Sequence, residues 1–309
     1  MKILNNKGFT LVEVLADMEI TGISVNKDYL IQMGEELKVM IKNLEEKIYE
    51  LSGCEFNIAS PKQLGEVLFE KLEIPYPKKT KKEGYSTSKE ILDKLVDKYP
   101  IVSLIEEYRT LTKLYNNYIV GLISEIDEDG KIHTCFNQTL TRTGRLSSSN
   151  PNLQNIPVRT EEGKLIRKAF IPEENSILLS SDYSQIELRV FAHMSNATNM
   201  IEAFENDLDI HSKTASDIFG IPLNMVDSNM RRQAKAVNFG ILYGISSFGL
   251  SEDLNIDVYS AKNFIDNYLE TFPSIKEFMD EIVENAHRDG YVKTIMNRKR
   301  IIDELKSTR

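Results

Sequence analysis

Residues 231–244 read Arg231-Arg232-Gln233-Ala234-Lys235-Ala236-Val237-Asn238-Phe239-Gly240-Ile241-Leu242-Tyr243-Gly244. On a helix, Arg231, Lys235, Phe239 and Tyr243 recur every fourth residue. At about 100° per residue, each step of four drifts only about 40°, so the four side chains form one slanted stripe. Two cations lead it and two aromatics finish it. Cations bind phosphates and an aromatic face can stack on a base, so one helix could hold both ends of a nucleotide. Spacing alone favours an ordinary amphipathic helix, with its rings in a core and its cations in water.

Working outward, residues 178–187 run from Leu178-Leu179 through Ser180-Ser181-Asp182 to Glu187. The apolar run 177–180 predicts a short buried strand, and Asp182 stands at its end, before a helix carrying Ile186, Leu188, Val190 and Phe191. A carboxylate at a strand terminus is rigidly held and faces solvent, which suits a Mg²⁺ ligand. A helix cap is the other reading of Asp182, and the plainer one without context. Upstream, residues 141–157 are polar and rich in Ser, Asn and Thr, after a turn signal at Asp127-Glu128-Asp129-Gly130 and a strand-like alternation over 131–140.

The first part of the chain is helical in pattern. Leu30, Leu37, Ile41, Leu44, Ile48 and Leu51 make one apolar stripe, with Asn26 placed to cap its start and Gly53 its end. Ser60-Pro61 opens a short helix, Thr87-Ser88-Lys89-Glu90 reads as a capping box, and Pro100 separates that helix from another reaching about residue 124. Most of 199–287 also reads as helix. The fold class is therefore α+β and mainly helical: a helical arm to about residue 130, then an α+β unit with a helical subdomain.

Bulk properties point elsewhere than the stripe does. The chain has 309 residues, a net charge of −9 and a pI near 5.2, so any phosphate-binding surface must be local. Basic clusters occur at Lys78, Lys79, Lys81 and Lys82, at Arg231, Arg232 and Lys235, and at Arg288, Lys293, Arg298, Lys299 and Arg300. Such runs usually line a solvated face. Cys54 and Cys135 form no metal-ligand spacing and read as reduced thiols. The start Lys7-Gly8-Phe9-Thr10-Leu11 resembles a prepilin processing site, but Asp17, Glu19 and Gly22 interrupt the apolar run that a membrane anchor needs.

Three segments together carry a specific resemblance. Residues 182–189 resemble the first polymerase motif of the DNA polymerase I family (family A), and residues 231–244 its second. Thr143-Gly144-Arg145-Leu146-Ser147-Ser148 with Asn152-Leu153-Gln154-Asn155-Ile156-Pro157 resembles its primer–template segment. The resemblance implies a right-hand polymerase fold, incomplete at its C-terminal end. It places a lead-in segment at 1–25, a helical thumb at 26–130, part of the palm at 131–198 and fingers at 199–309.

The resemblance also implies residue roles. Asp182 and the Tyr183 carbonyl would bind two Mg²⁺ ions, and Glu187 would reject a ribose 2′-OH. Arg231 and Lys235 would grip the triphosphate of an incoming dNTP, helped by His211 and Gln185. Phe239 would pack on sugar and base, and Tyr243 would stack near the template. Arg145, Asn152, Gln154 and Asn155 would contact primer–template DNA. The expected setting is a cytoplasmic monomer with no membrane contact.

The family's His-Asp-Glu motif is not found. Asp303-Glu304 lies too near Tyr243 to serve, and Asn297 and Asp303 stand where the family has glycine and proline. The expectation is a truncated polymerase, lacking the preceding exonuclease and 5′-nuclease domains, with little synthesis of its own. A primer–template or nucleotide-binding fragment without turnover is the alternative.

Overall fold

The computed structural model describes residues 9–76, 84–158 and 161–306, with only the backbone at 9, 10 and 306. The lysines of the 78–82 cluster and the Lys7-Gly8 start of the prepilin-like stretch lie outside the described residues. The chain divides into two compact units, residues 1–179 and 180–309.

The first unit begins with α1 (Phe9–Thr21), which ends at Gly22 in the left-handed conformation (φ +62°). Leu15 is buried, while Val12, Val14, Met18 and Ile20 remain exposed. No described helix is long and apolar enough to cross a membrane. After β1 (Ile23–Ser24), α2 (Lys27–Ser52) forms as its stripe predicts. Asn26 Oδ1 accepts from Tyr29 N at 2.9 Å, and Gly53 closes the helix at φ +64°. Leu30, Leu37, Leu44 and Ile48 are buried, whereas Leu51, in the last turn, is half exposed. Each buried aliphatic side chain contributes roughly 1.5–3 kcal/mol by leaving water.

That face packs against α5 (Pro100–Leu114), which opens on Pro100 and buries Ile101, Val102, Ile105, Tyr108, Leu111 and Leu114. The helix then passes through a π-type turn, Tyr115–Val120, into α6 (Gly121–Ser124). Gly34 of α2 is needed where this turn comes closest, because a Cβ there would sit 2.8 Å from Ile119 Cγ2. Between these long helices lie α3 (Pro61–Glu66), with Ser60 at its N-cap, and α4 (Lys89–Leu92).

The capping box at α4 is not made. Ser88, not Thr87, takes the cap position, and its Oγ bonds Glu90 Oε2 at 2.8 Å. Thr87 instead accepts from Arg109, at 2.6 Å through its carbonyl and 3.0 Å through its hydroxyl. A long-range guanidinium outcompetes a local cap, and the helix runs for only four residues.

The strand predicted over 131–140 is split. β2 (Lys131–Ile132) pairs with β1, and β3 (Cys135–Asn137) pairs with β4 (Ser147–Ser149), all antiparallel. Buried Thr134 marks the change of partner, because its hydroxyl is held by Ser148 Oγ, Ser149 O and Pro151 O at 2.6, 3.1 and 2.8 Å. The unit closes with α7 (Glu161–Arg167), after which Ile171 N donates to Ser24 O at 3.0 Å.

The strand expected at 177–180 does not form. Ile177 and Leu179 are 86% and 88% exposed, and no described strand lies alongside. An apolar run becomes a strand only when a neighbour takes its N–H and C=O groups. Here the run leads from one compact unit into the next.

The second unit is almost entirely helical: α8 (Ile186–Met194), α9 (Thr198–Glu205), α10 (Ile210–Phe219), α11 (Ser228–Leu242), α12 (Ser247–Leu254), α13 (Val258–Thr271) and α14 (Pro273–Asp289). Leu188, Met200, Val237, Ile241, Tyr268 and Ile275 form its core. Burial raises the Tyr268 hydroxyl far above its ordinary pKa. A hairpin of β5 (Tyr291–Lys293) and β6 (Lys299–Ile301) follows, with Asn297 at φ +61° in its turn. Asp303 and Glu304 lie in a single 3₁₀ turn beyond it.

Candidate functional site

The stripe on α11 forms, and it is neither a plain core face nor a plain wet one. Asp227 caps the helix through Met230 N at 2.7 Å. Ala234, Val237, Asn238 and Ile241 face the core, while Tyr243, just past the last turn, is 64% exposed. Lys235, Phe239 and Tyr243 line an open concavity of about 500 Å³, together with Arg232 and Asp253.

Arg231 turns to Asp209 instead. Its Nε and Nη2 donate to Asp209 Oδ2 and Oδ1 at 2.8 and 3.0 Å, a two-point pairing. Asp209 is also the N-cap of α10, accepting from Ser212 N at 2.9 Å. The guanidinium, followed by the Ser212 donors, holds this carboxyl far below the usual carboxylate range, although partial burial opposes it. One carboxylate thus ties the cationic end of α11 to the start of α10.

Two residues on, His211 is almost fully buried. Desolvation lowers its pKa, with Asp209 pulling upward and Arg231 and Lys235 adding to the decrease. Its ring lies 5.7 Å from that of Phe239, which lies parallel to Tyr243 at 6.5 Å and 12°. The Tyr243 hydroxyl donates a short bond to Glu187 Oε2, in the first turn of α8. Arg231 and Asp209 thus pair at the start of α10, and a second set of contacts runs from the His211 ring through Phe239 and Tyr243 to Glu187. Asp209 and the buried polar pair Asn238 and Thr214 escaped the sequence reading. Their signals were a capping residue three before Ser212 and an asparagine in phase with the core positions of α11.

The other site candidates stand apart from this run. Asp182 and Tyr183 are exposed in the segment before α8. The cap reading of Asp182 fails, because Gln185 holds the N-cap position, in the left-handed conformation (φ +52°) and with no side-chain cap bond. Among the described residues, no hydrogen bond, ion pair or ring contact joins Asp182 to the α11 stripe.

In the first unit, Asn152 and Gln154 brace their own loop. Asn152 Oδ1 accepts from Gln154 N at 3.0 Å, and Gln154 Oε1 accepts from Ser148 N at 3.2 Å. The Asn155 carbonyl accepts from Tyr118, and the Arg145 carbonyl from Thr141 Oγ1 at 2.5 Å.

The sequence model of DNA polymerase family A matches residues 27–309. The chain belongs to DNA polymerase family A. Among its family A relatives, DNA polymerase I of Bacillus subtilis (strain 168) is 55% identical over 299 residues, and that of Bacillus caldotenax 53% over 300. Each alignment covers 96% of this chain and 34% of the relative, so the chain spans about a third of their length. The POL domain of Pol1 from M. smegmatis, in complex with DNA primer-template and dNTP, is similar with a TM-score of 0.90 and 39% identity. It covers 99% of this chain, which matches 54% of that one.

Family A polymerases use divalent metal ions. The described residues gather no group of three His, Cys, Asp or Glu side chains able to hold one. Asp182 is exposed and Glu187 is engaged by Tyr243, so these residues do not by themselves fit a two-ion site.

Proposed function

We propose that this chain carries the nucleotide-handling surface of a template-directed DNA polymerase. The observation that supports the reading is the surface around α11, where Arg231 pairs with Asp209, the His211 ring lies near Phe239, Phe239 lies parallel to Tyr243, and Tyr243 reaches Glu187. Lys235, on the wall of the concavity, meets the triphosphate of an incoming dNTP as a mobile point charge. Arg231 keeps guanidinium donors beyond the two that Asp209 occupies, so it can hold a phosphate without leaving its carboxylate. Phe239 offers a ring to sugar and base, and Tyr243 to the templating position. Glu187, steadied by the Tyr243 hydroxyl, stands against a 2′-OH. Gln185 assists at the start of α8.

Arg145, Asn152, Gln154 and Asn155 belong in this reading to a primer–template contact. Asn152 and Gln154 act there chiefly by shaping the loop that presents it. Residues 26–130 correspond to a thumb, 131–198 to part of a palm and 199–309 to fingers, after a lead-in at 1–25, in a cytoplasmic monomer. Asp182 is the metal-facing carboxylate, and further ligands are needed to complete two Mg²⁺ ions around it. The alternative reading is a surface that binds primer–template and nucleotide without turnover.

Titration with dATP, followed by a fluorescent nucleotide competitor, tests the reading. Lys235→Ala removes a charged hydrogen bond of roughly 1.5–3 kcal/mol, so affinity should fall about 10- to 100-fold. Binding of primer–template DNA should weaken steeply with salt. Unchanged dATP affinity in Lys235→Ala would count against the site. Robust primer extension abolished by Asp182→Ala would overturn the alternative of binding without turnover.

A further inference from the structure

We propose that Asn238 is a positioning residue that sets the tautomer of His211, keeping Nδ1 as an acceptor so that the ring proton sits on Nε2. The inference rests on the proposed function in one respect: the Nε2 proton is then the donor offered to a phosphate oxygen. Asn238 is completely buried on the core face of α11, among Ala234, Val237 and Ile241. A buried amide is costly unless it is bonded, so its presence calls for polar partners. It has two. Its Nδ2 lies 3.2 Å from His211 Nδ1 and 3.1 Å from Thr214 Oγ1, and Thr214 Oγ1 lies 3.3 Å from its Oδ1.

The chemistry of the amide then fixes the ring. An amide nitrogen only donates, so the imidazole nitrogen facing it must carry a lone pair. A neutral imidazole with Nδ1 unprotonated holds its hydrogen on Nε2. Protonating Nδ1 would set one N–H against another. With Nδ1 taken by Asn238, Nε2 is the ring nitrogen left to meet a ligand.

The charged groups acting on the ring are Asp209 from its own helix and Arg231 and Lys235 from α11. Burial and the two cations favour the neutral ring, and Asp209 opposes them. The site therefore receives a fixed donor instead of a third cation that would come and go near neutral pH. An amide turned the other way, with Oδ1 facing Nδ1, would hold the opposite tautomer.

Long-range ¹H–¹⁵N spectra of the full chain, labelled at histidine, read the ring nitrogens directly. His211 is picked out by its loss in His211→Gln. The expected result near pH 7 is a neutral ring with an unprotonated Nδ1 and a protonated Nε2. Asn238→Asp, whose side chain can only accept when ionised, should move a proton onto Nδ1 and raise the ring's titration midpoint. A wild-type Nδ1–H tautomer overturns the proposal, even where the variant fails to fold. So does a folded Asn238→Asp chain with the wild-type ring pattern. Adding dATP separates the two readings: an Nε2 signal that ignores dATP weakens the nucleotide site and leaves the tautomer assignment intact.

Discussion

Helices α2 and α11 begin alike and end in different roles. Both are capped by an acidic or amide side chain, Asn26 in one and Asp227 in the other, and both bury one face. The buried face of α2 from Leu30 to Ile48 carries no polar side chain, and its one glycine, Gly34, admits Ile119. That of α11 is interrupted by Asn238 and Gly240, while its rings spill outward at Phe239 and Tyr243. A beam needs only area removed from water, which is non-directional. A working surface needs directions, and these come from hydrogen bonds that cost stability if left unmade. The difference predicts that substitutions on α2 act on stability, and those around α11 on orientation.

The largest effect should come from the beam. Ile48→Ala deletes a fully buried aliphatic group in the core of the first unit and should cost about 2–5 kcal/mol, as cavities in packed cores do. Urea unfolding monitored by circular dichroism measures it. A loss below about 1 kcal/mol would mean that the α2 face is loosely packed, and the contrast with α11 would lose its first half.

Next in size is Asp209→Ala, which removes both a helix cap and the partner of Arg231. Loss of such a cap typically costs about 0.5–2 kcal/mol, and the half-exposed ion pair adds little because solvent screens it. The pH dependence has a definite sign. Pairing depresses the folded pKa of Asp209 below its unfolded value of about 3.9. Its contribution is therefore present above about pH 4 and is lost as pH falls through the depressed folded value. The stability gap between wild type and Asp209→Ala should be widest at neutral pH and should close in acid. A gap independent of pH would show that the carboxylate acts through shape alone.

The same contrast explains what the sequence disclosed. The stripe, caps and breakers of α2 are local signals, and the helix appears where they place it, from Lys27 to Ser52. The fourfold spacing of Arg231, Lys235, Phe239 and Tyr243 was equally plain, but its meaning depended on partners far away in the chain. Asp209 lies 22 residues from Arg231, and Glu187 lies 56 from Tyr243. No periodicity reports such pairings. For the same reason the cap expected at Thr87 does not form, since Arg109 claims it from 22 residues away. The apolar run at 177–180 failed differently: its composition suits a strand, but pairing is supplied by a neighbour and not by the run itself.

The smallest effect is the most discriminating. Tyr243→Phe keeps the ring that lies parallel to Phe239 and removes only the hydroxyl that reaches Glu187. Because Tyr243 is largely exposed, water replaces that bond at little cost, and thermal unfolding should register less than about 1 kcal/mol. Orientation should suffer more than stability, since Glu187 then loses one of the contacts that fix its carboxylate. In the proposed site that carboxylate opposes a 2′-OH, so the preference for dATP over ATP in binding should narrow, by severalfold at most. If Tyr243→Phe instead destabilises as severely as Ile48→Ala, the two rings are core after all. α11 would then be a second beam, and the distinction between a helix that bears stability and one that aims side chains would not hold in this chain.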